Sequence, residues 1–277
     1  MTVIAITREI GTRGMDVAVG LGERLQLDVI NDELIEHDVA MLAGMPEQSV
    51  HRIFDGTATL LDRWRMDNQR LSYSTAEKLY QLAYKGNVVL RGWGAPYLLR
   101  DMPHVMCVRV CAPSRVREQV LVERGLAADT AAARRLIQRQ DAANHGVMRK
   151  LFGSDGKDAS NYSIILNTAR VSVESCVEQI ATLAASPAFQ EAAESQRVLL
   201  DRLVLVRVRA ALDERFGVDH RFTRIDATVA DGHVALDGQA LYEEVNEVAV
   251  SLLQGIDGVT GVESRIVVMP FYRRHAA

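Results

Sequence analysis

Lysine is nearly missing from this chain. Only four of its 32 basic residues are lysine (Lys78, Lys85, Lys150 and Lys157), so none lies in the first 77 positions or the last 120. Any anion held near either end must therefore be met by arginine, histidine or backbone amides. The lysine-bearing phosphate-loop signature GxxxxGK[ST] is absent as well. No apolar run approaches the roughly 20 residues needed to cross a bilayer. Met1–Thr7 is apolar but has no basic leader and no small-residue cleavage site, so the chain is expected to be cytoplasmic. The three cysteines cannot all pair and none stands in a CxxC spacing, which excludes a disulfide framework and a thiolate metal site. Basic charge is also short. With 36 acids against 32 bases the net charge is −4, which leaves no overall positive field to hold nucleic acid.

What is present is a well-stocked core. Apolar residues make up 48% of the 277, and the length suits two domains. The first 185 residues alternate short apolar runs with amphipathic stretches, the pattern of an α/β domain with a parallel sheet and helices on both faces. Strands are predicted at Val3–Thr7, Asp28–Ile30, Val88–Leu90, Val105–Cys111 and Tyr162–Leu166. Residues 32–81 hold no strand signal and read as a helical insertion. Ser74 and Glu77 form a capping box that predicts a helix start, with Gly86 ending that helix. Ser114 is the predicted cap of the next helix, and an arginine-rich helix follows over about 129–151. Composition changes near Ser186. A polar connector over 186–197 separates residues 1–185 from a second unit, 198–277. That unit reads α-β-β-α-β, with a hairpin at Asp231-Gly232, and is expected to form a small antiparallel sheet covered by two helices.

Three places have the residue types that phosphate chemistry needs. The loop from Arg8 to Met15 lies between the first strand and a helix, where glycines let backbone amides wrap phosphate oxygens at the positive helix end. Gly11, Thr12 and Gly14, with Arg8 and Arg13 beside them, are the candidates. Arg91, Gly92 and Trp93 follow the third strand, and carboxyl ends of parallel strands are where open α/β sheets bind ligands. An arginine group spans 115–139, and within it Arg135 and Arg139 share a helix face at i and i+4. Phosphoryl transfer uses such cations on a segment that closes over the substrate.

Four stretches, in this order and spacing, resemble the cytidylate kinase-like family, a branch of the P-loop nucleoside monophosphate kinases. They are Ile4–Gly14, Asn31–Ile35, Gly92–Leu99 and Asn161–Thr168, within a likeness covering residues 3–184. Residues 198–270 resemble a BON domain, a module associated with binding ligands or partners. The first resemblance implies a five-stranded parallel sheet, ATP as donor, magnesium, and CMP or dCMP as acceptor. In a kinase of this kind, the residues singled out above are expected to take these roles: Arg8, Gly11, Thr12, Arg13 and Gly14 at the donor phosphates, Asp32, Arg91, Gly92 and Trp93 at the acceptor, and Arg135 and Arg139 in charge stabilisation. The chain also departs from the family. Arg13 replaces a glycine, Met15 an arginine, Trp93 an arginine and Asn31 an aspartate, and the lid sequence Asp-x-x-Arg becomes Asp141-Ala-Ala-Asn144. Two readings follow: a phosphotransferase with rearranged arginines, or a nucleotide-binding regulator whose BON unit binds a small ligand or a protein.

Overall fold

The structure is a computed structural model describing residues 1–7, 9–30, 32–54, 57–58, 67–92, 94–153, 156–217 and 224–269, with the side chains of 32–34 left aside. Two compact units divide between Ser195 and Gln196.

The first unit is built on five parallel strands, β1 (Val3–Ile6), β2 (Asp28–Ile30), β3 (Val88–Arg91), β4 (Val105–Cys111) and β5 (Ile164–Asn167), in the spatial order β2-β3-β1-β4-β5. The helices between them are α1 (Gly14–Leu25), α2 (Asp32–Ala43), α3 (Glu47–Phe54), α4 (Asn68–Lys85), α5 (Ala95–Leu99), α6 (Ser114–Glu123) and α7 (Thr130–Phe152), with α8 (Val173–Ala184) after β5. Every residue of β1 is buried, which is why its sequence is continuously apolar instead of alternating. Ile4, Ile6, Met106, Val108 and Val110 pack beneath Val17, Ala18 and Leu21 of α1 and Cys176 and Ile180 of α8. The residues between them, Val3, Ala5, Val105 and Cys107, are buried on the opposite face. Burial also raises the Cys107 thiol to about 12, so it packs as a small core residue whose sulfur donates to the Pro96 carbonyl at 3.2 Å.

Helix starts differ from the sequence expectation in two places, for local reasons. The capping box at Ser74 lies in the middle of α4. The start is set by Asp67, whose carboxylate accepts from the amides of Gln69 and Arg70. The Ser74 and Thr75 hydroxyls instead donate back to the carbonyls of Arg70 and Leu71, four residues earlier. Likewise Pro113, not Ser114, precedes the first residue of α6, with no side-chain cap.

In the second unit α9 (Ala193–Phe216) and α10 (Glu244–Gln254) accompany β6 (Arg224–Ala230), β7 (His233–Ala240) and β8 (Gly261–Val268). Val204, Val208 and Leu212 of α9 and Ala249 and Leu253 of α10 close on Ala227, Val234 and Leu236 of the sheet. Within the expected connector, Pro187–Phe189 forms a 3-10 turn and α9 begins at Ala193. The Ser195 hydroxyl accepts from the Ala192 amide at 3.0 Å, a back-bond that satisfies the start of the helix. The expected all-antiparallel sheet is corrected to a mixed one. β6 and β7 form the predicted hairpin, but β8 pairs parallel to β7, because α10 returns the chain to the starting end of β7.

The hairpin turn is tied down from α9. The Asp201 carboxylate accepts from the amides of Asp231 at 2.9 Å and Gly232 at 2.8 Å. Asp201→Ala is therefore expected to destabilise the second unit by about 1–2 kcal/mol, since it leaves two turn amides without their charged acceptor. A denaturation midpoint equal to wild type would show that water replaces the carboxylate without loss.

In the first unit, His104 is 2% exposed and its Nδ1 makes no hydrogen bond among the described residues. Burial lowers its pKa from the ordinary value, against an opposing pull from Glu191. The unfolded chain then takes up a proton first as pH falls through about 6.5, and stability is lost below that point. His104→Leu should flatten this part of the profile. The check is the urea midpoint of both proteins between pH 7.5 and 5.5; parallel curves would rule His104 out as the cause.

Candidate functional site

β1 ends at the middle of the sheet and the chain turns sharply before α1. Thr7 continues the sheet, donating its amide to Val108 O and accepting at its hydroxyl from Val110 N. Gly11 then takes φ 77° and Arg13 φ 59°. A Cβ on Gly11 would stand 2.8 Å from the Arg117 carbonyl, so the loop touches α6 where no side chain fits. Thr12 is fully buried, its hydroxyl donating to Glu9 O at 2.7 Å, and its carbonyl accepts from Thr168 Oγ1 at 2.8 Å. Arg13 precedes α1 without a side-chain cap. The first amides of α1 are thus left for water or an anion, in the positive field of the helix end.

Beside this loop is a cavity of about 310 Å³. Its floor is the carboxyl ends of the central strands, through Thr7 and Glu9 after β1, Gly92 after β3 and Arg109 in β4. Its cover is α7, through Asp141, Asn144, His145 and Met148. These four stand at i, i+3, i+4 and i+7, which is one face of a helix. Tyr97, Pro96 and Phe54 give an apolar wall, and Lys157 and Tyr162 complete the rim. Tyr97 is fixed by Phe152, ring centroids 6.0 Å apart, and by the Arg100 guanidinium 3.9 Å over its ring.

Charge in the cavity is arranged in pairs. Arg109 Nε donates to Glu9 Oε1 at 3.0 Å. Arg117 holds Asp141 through two bonds of 2.8 and 2.7 Å and donates Nε to Ile10 O at 2.7 Å. Among the described lining residues, three cations (Arg109, Arg117, Lys157) face two carboxylates (Glu9, Asp141), an excess of positive charge. Such a lining suits an anionic ligand with an apolar end. The Cys111 thiol, at the end of β4, is pushed up by burial first and by Glu9 second, which disfavours the thiolate.

The residues expected from sequence divide into three groups. Gly11, Thr12, Arg13 and Gly14 form the turn into α1, with Thr12 serving as an internal brace and Arg13 lying 3.7 Å from Glu123. Gly92 lies on the cavity floor, while Arg91 stands opposite Ile6 in the strand register and off the wall. Arg135 and Arg139 share a face, but it is the solvent face of α7. Both are exposed, and Arg139 borders a separate hollow with Asn68 and Lys150. Arg8 and Trp93 lie outside the described residues, as does the side chain of Asp32, whose backbone opens α2. The sequence reading did not single out Glu9, Arg109 or Lys157 as site residues, and it noted Asn144 only as the residue in place of the lid arginine. Arg109 had a usable signal, because a charged residue inside an otherwise apolar central strand needs a partner or a ligand.

Comparison with known proteins identifies the family and the fold. Residues 3–170 match the cytidylate kinase-like family, and residues 204–270 match the BON domain. The cytidylate kinase of Methanococcus aeolicus is 24% identical over 166 residues, covering 59% of this chain and 86% of its own. The crystal structure of an uncharacterized protein from Eubacterium ventriosum is similar in fold, with a TM-score of 0.51 and 19% identity, covering 67% of this chain and 99% of that one.

The contact between loop and α6 gives a direct test. Gly11→Ala combines a left-handed backbone with a 2.8 Å collision against backbone and should cost about 2 kcal/mol or more. Gly125→Ala is the control, since φ is +68° there but nothing lies within 4 Å of the added carbon; it should cost about 1 kcal/mol. Equal losses in thermal denaturation would mean that the loop moves off α6 freely.

Proposed function

This chain belongs to the cytidylate kinase-like family, and on that premise we propose that it transfers the γ-phosphoryl group of ATP to a pyrimidine nucleoside monophosphate, CMP or dCMP. The observation supporting the reading is the cavity itself, whose described lining residues have an excess of positive charge, and which lies against the loop before α1 and is covered by α7. Phosphoryl transfer asks the protein for positioning and charge stabilisation and for little covalent chemistry. In this reading the amides from Gly11 to Gly14 hold the donor phosphates without a lysine. Arg109 and Lys157 attract the phosphates that meet in the cavity, and Tyr97 and Met148 give the apolar surface for a base. Magnesium arrives with ATP as part of the substrate. Phosphate oxygens and water supply most of its ligands in such sites, and Glu9 and Asp141 are each held by an arginine.

That pairing also favours a second reading, in which nucleotide is held with little turnover and the BON unit, by binding a small ligand or a protein, supplies the response. No helix among the described residues is long and apolar enough to cross a membrane, and we place the protein in the cytoplasm, where ATP is available.

A coupled assay with ATP, magnesium and each monophosphate in turn is expected to show turnover with CMP and dCMP. Arg109→Ala should lower kcat/KM for the monophosphate by about a hundredfold, the scale of losing one charge-stabilising group, while Arg91→Ala, off the wall, should lose less. ATP binding by calorimetry without turnover would select the second reading. Absence of ATP binding would remove both.

A further inference from the structure

We propose that Arg117 is a positioning residue that straps the covering helix α7 to the phosphate loop and so sets the geometry of the closed cavity; the catalytic arm of this proposal rests on the phosphotransferase reading above. The Arg117 side chain is 6% exposed and joins three elements. From α6 it donates Nε to the Ile10 carbonyl of the loop at 2.7 Å and both terminal nitrogens to the Asp141 carboxylate of α7 at 2.8 and 2.7 Å. The planar fork of an arginine fixes distance and orientation together, which a lysine in its place would not do. Backbone packing reinforces the joint, because Gly11 lies directly on the Arg117 main chain.

The place of Asp141 along α7 gives this pair its leverage. Towards its start, α7 is anchored to α6 by Leu121, Ala133 and Ile137 and by the Glu118–Arg134 pair. At its far end the Leu151 carbonyl accepts from Ser72 of α4 at 2.9 Å. Asp141 lies between these anchors and on the cavity face, one turn before Asn144 and His145 and two before Met148. A displacement of Asp141 would move those three side chains as a unit. Arg117 therefore acts through α7, by Asp141 on the cavity face, and through Ile10, the chain neighbour of the cavity residue Glu9.

The test uses the full-length chain with Asp141→Asn, which keeps shape and removes the charge, and Arg117→Lys, which keeps the charge and removes the fork. Hydrogen exchange without nucleotide should show faster exchange over residues 142–151 in both variants, with thermal midpoints showing that the first unit stays folded. Under turnover, kcat/KM for CMP should fall on the order of a hundredfold, as expected when reacting groups are misplaced by about 1 Å, while the ATP dissociation constant stays within about threefold of wild type. Should Asp141→Asn not fold, Arg117→Lys supplies the same readouts. Tighter ATP binding or faster turnover in Asp141→Asn would overturn the proposal, because Asp141 would then be masking Arg117 from phosphate. Unchanged exchange over 142–151 in both variants would overturn it too. If the wild type turns over no monophosphate, the phosphotransferase reading fails, and the exchange experiment still decides whether the strap exists.

Discussion

The burial of β1 on every side is the constraint on which the first unit depends. With β3 and β4 as its neighbours and helices over both faces, this strand has no free edge and no solvent-facing side chain. A strand so placed can only release its chain at the carboxyl end of the sheet centre. The polypeptide must then reverse at once to begin α1, which packs on the same Ile4 and Ile6 that β1 buries. The positive-φ positions at Gly11 and Arg13 follow from that reversal. The uncapped start of α1 and the neighbouring cavity follow in turn, since neighbouring strands also end here and leave a crevice.

Electrostatics in that crevice are governed by pairing more than by number. Cations outnumber carboxylates among its described lining residues, yet Arg109 and Arg117 are each already engaged with a carboxylate. A buried arginine without a partner would carry a heavy desolvation cost. Glu9 and Asp141 supply those partners, and an incoming anion must compete with them. The arrangement is consistent with a member of the cytidylate kinase-like family in which the loop holds no lysine and charge is drawn from β4, α6 and the segment after α7.

The second unit obeys a different constraint. Its three-stranded sheet has one face covered by α9 and α10, and the return through α10 makes β8 parallel to β7. The tight turn at Asp231-Gly232 has positive φ at both positions and is held by Asp201 from α9, so helix and hairpin fix one another.

Local periodicity and turn chemistry were enough to place nearly all of the elements. Continuous apolar runs marked the parallel strands, Asp231-Gly232 marked the hairpin, and the glycines after β1 marked the turn into α1, because each depends on residues adjacent in the chain. The capping box at Ser74 misled for the same reason, since a hydroxyl within a helix can bond backward as readily as cap a start. What the tertiary structure alone decided is which side of an element meets its neighbour. The sequence shows that Arg135 and Arg139 share a face of α7, but the rotation of that helix over the sheet is set by how Ala133 and Ile137 pack on Leu121. That packing turns Asp141, Asn144, His145 and Met148 inward and the two arginines to solvent. Arg109, Glu9 and Lys157 likewise come from segments far apart in the chain, and only folding brings them to one cavity.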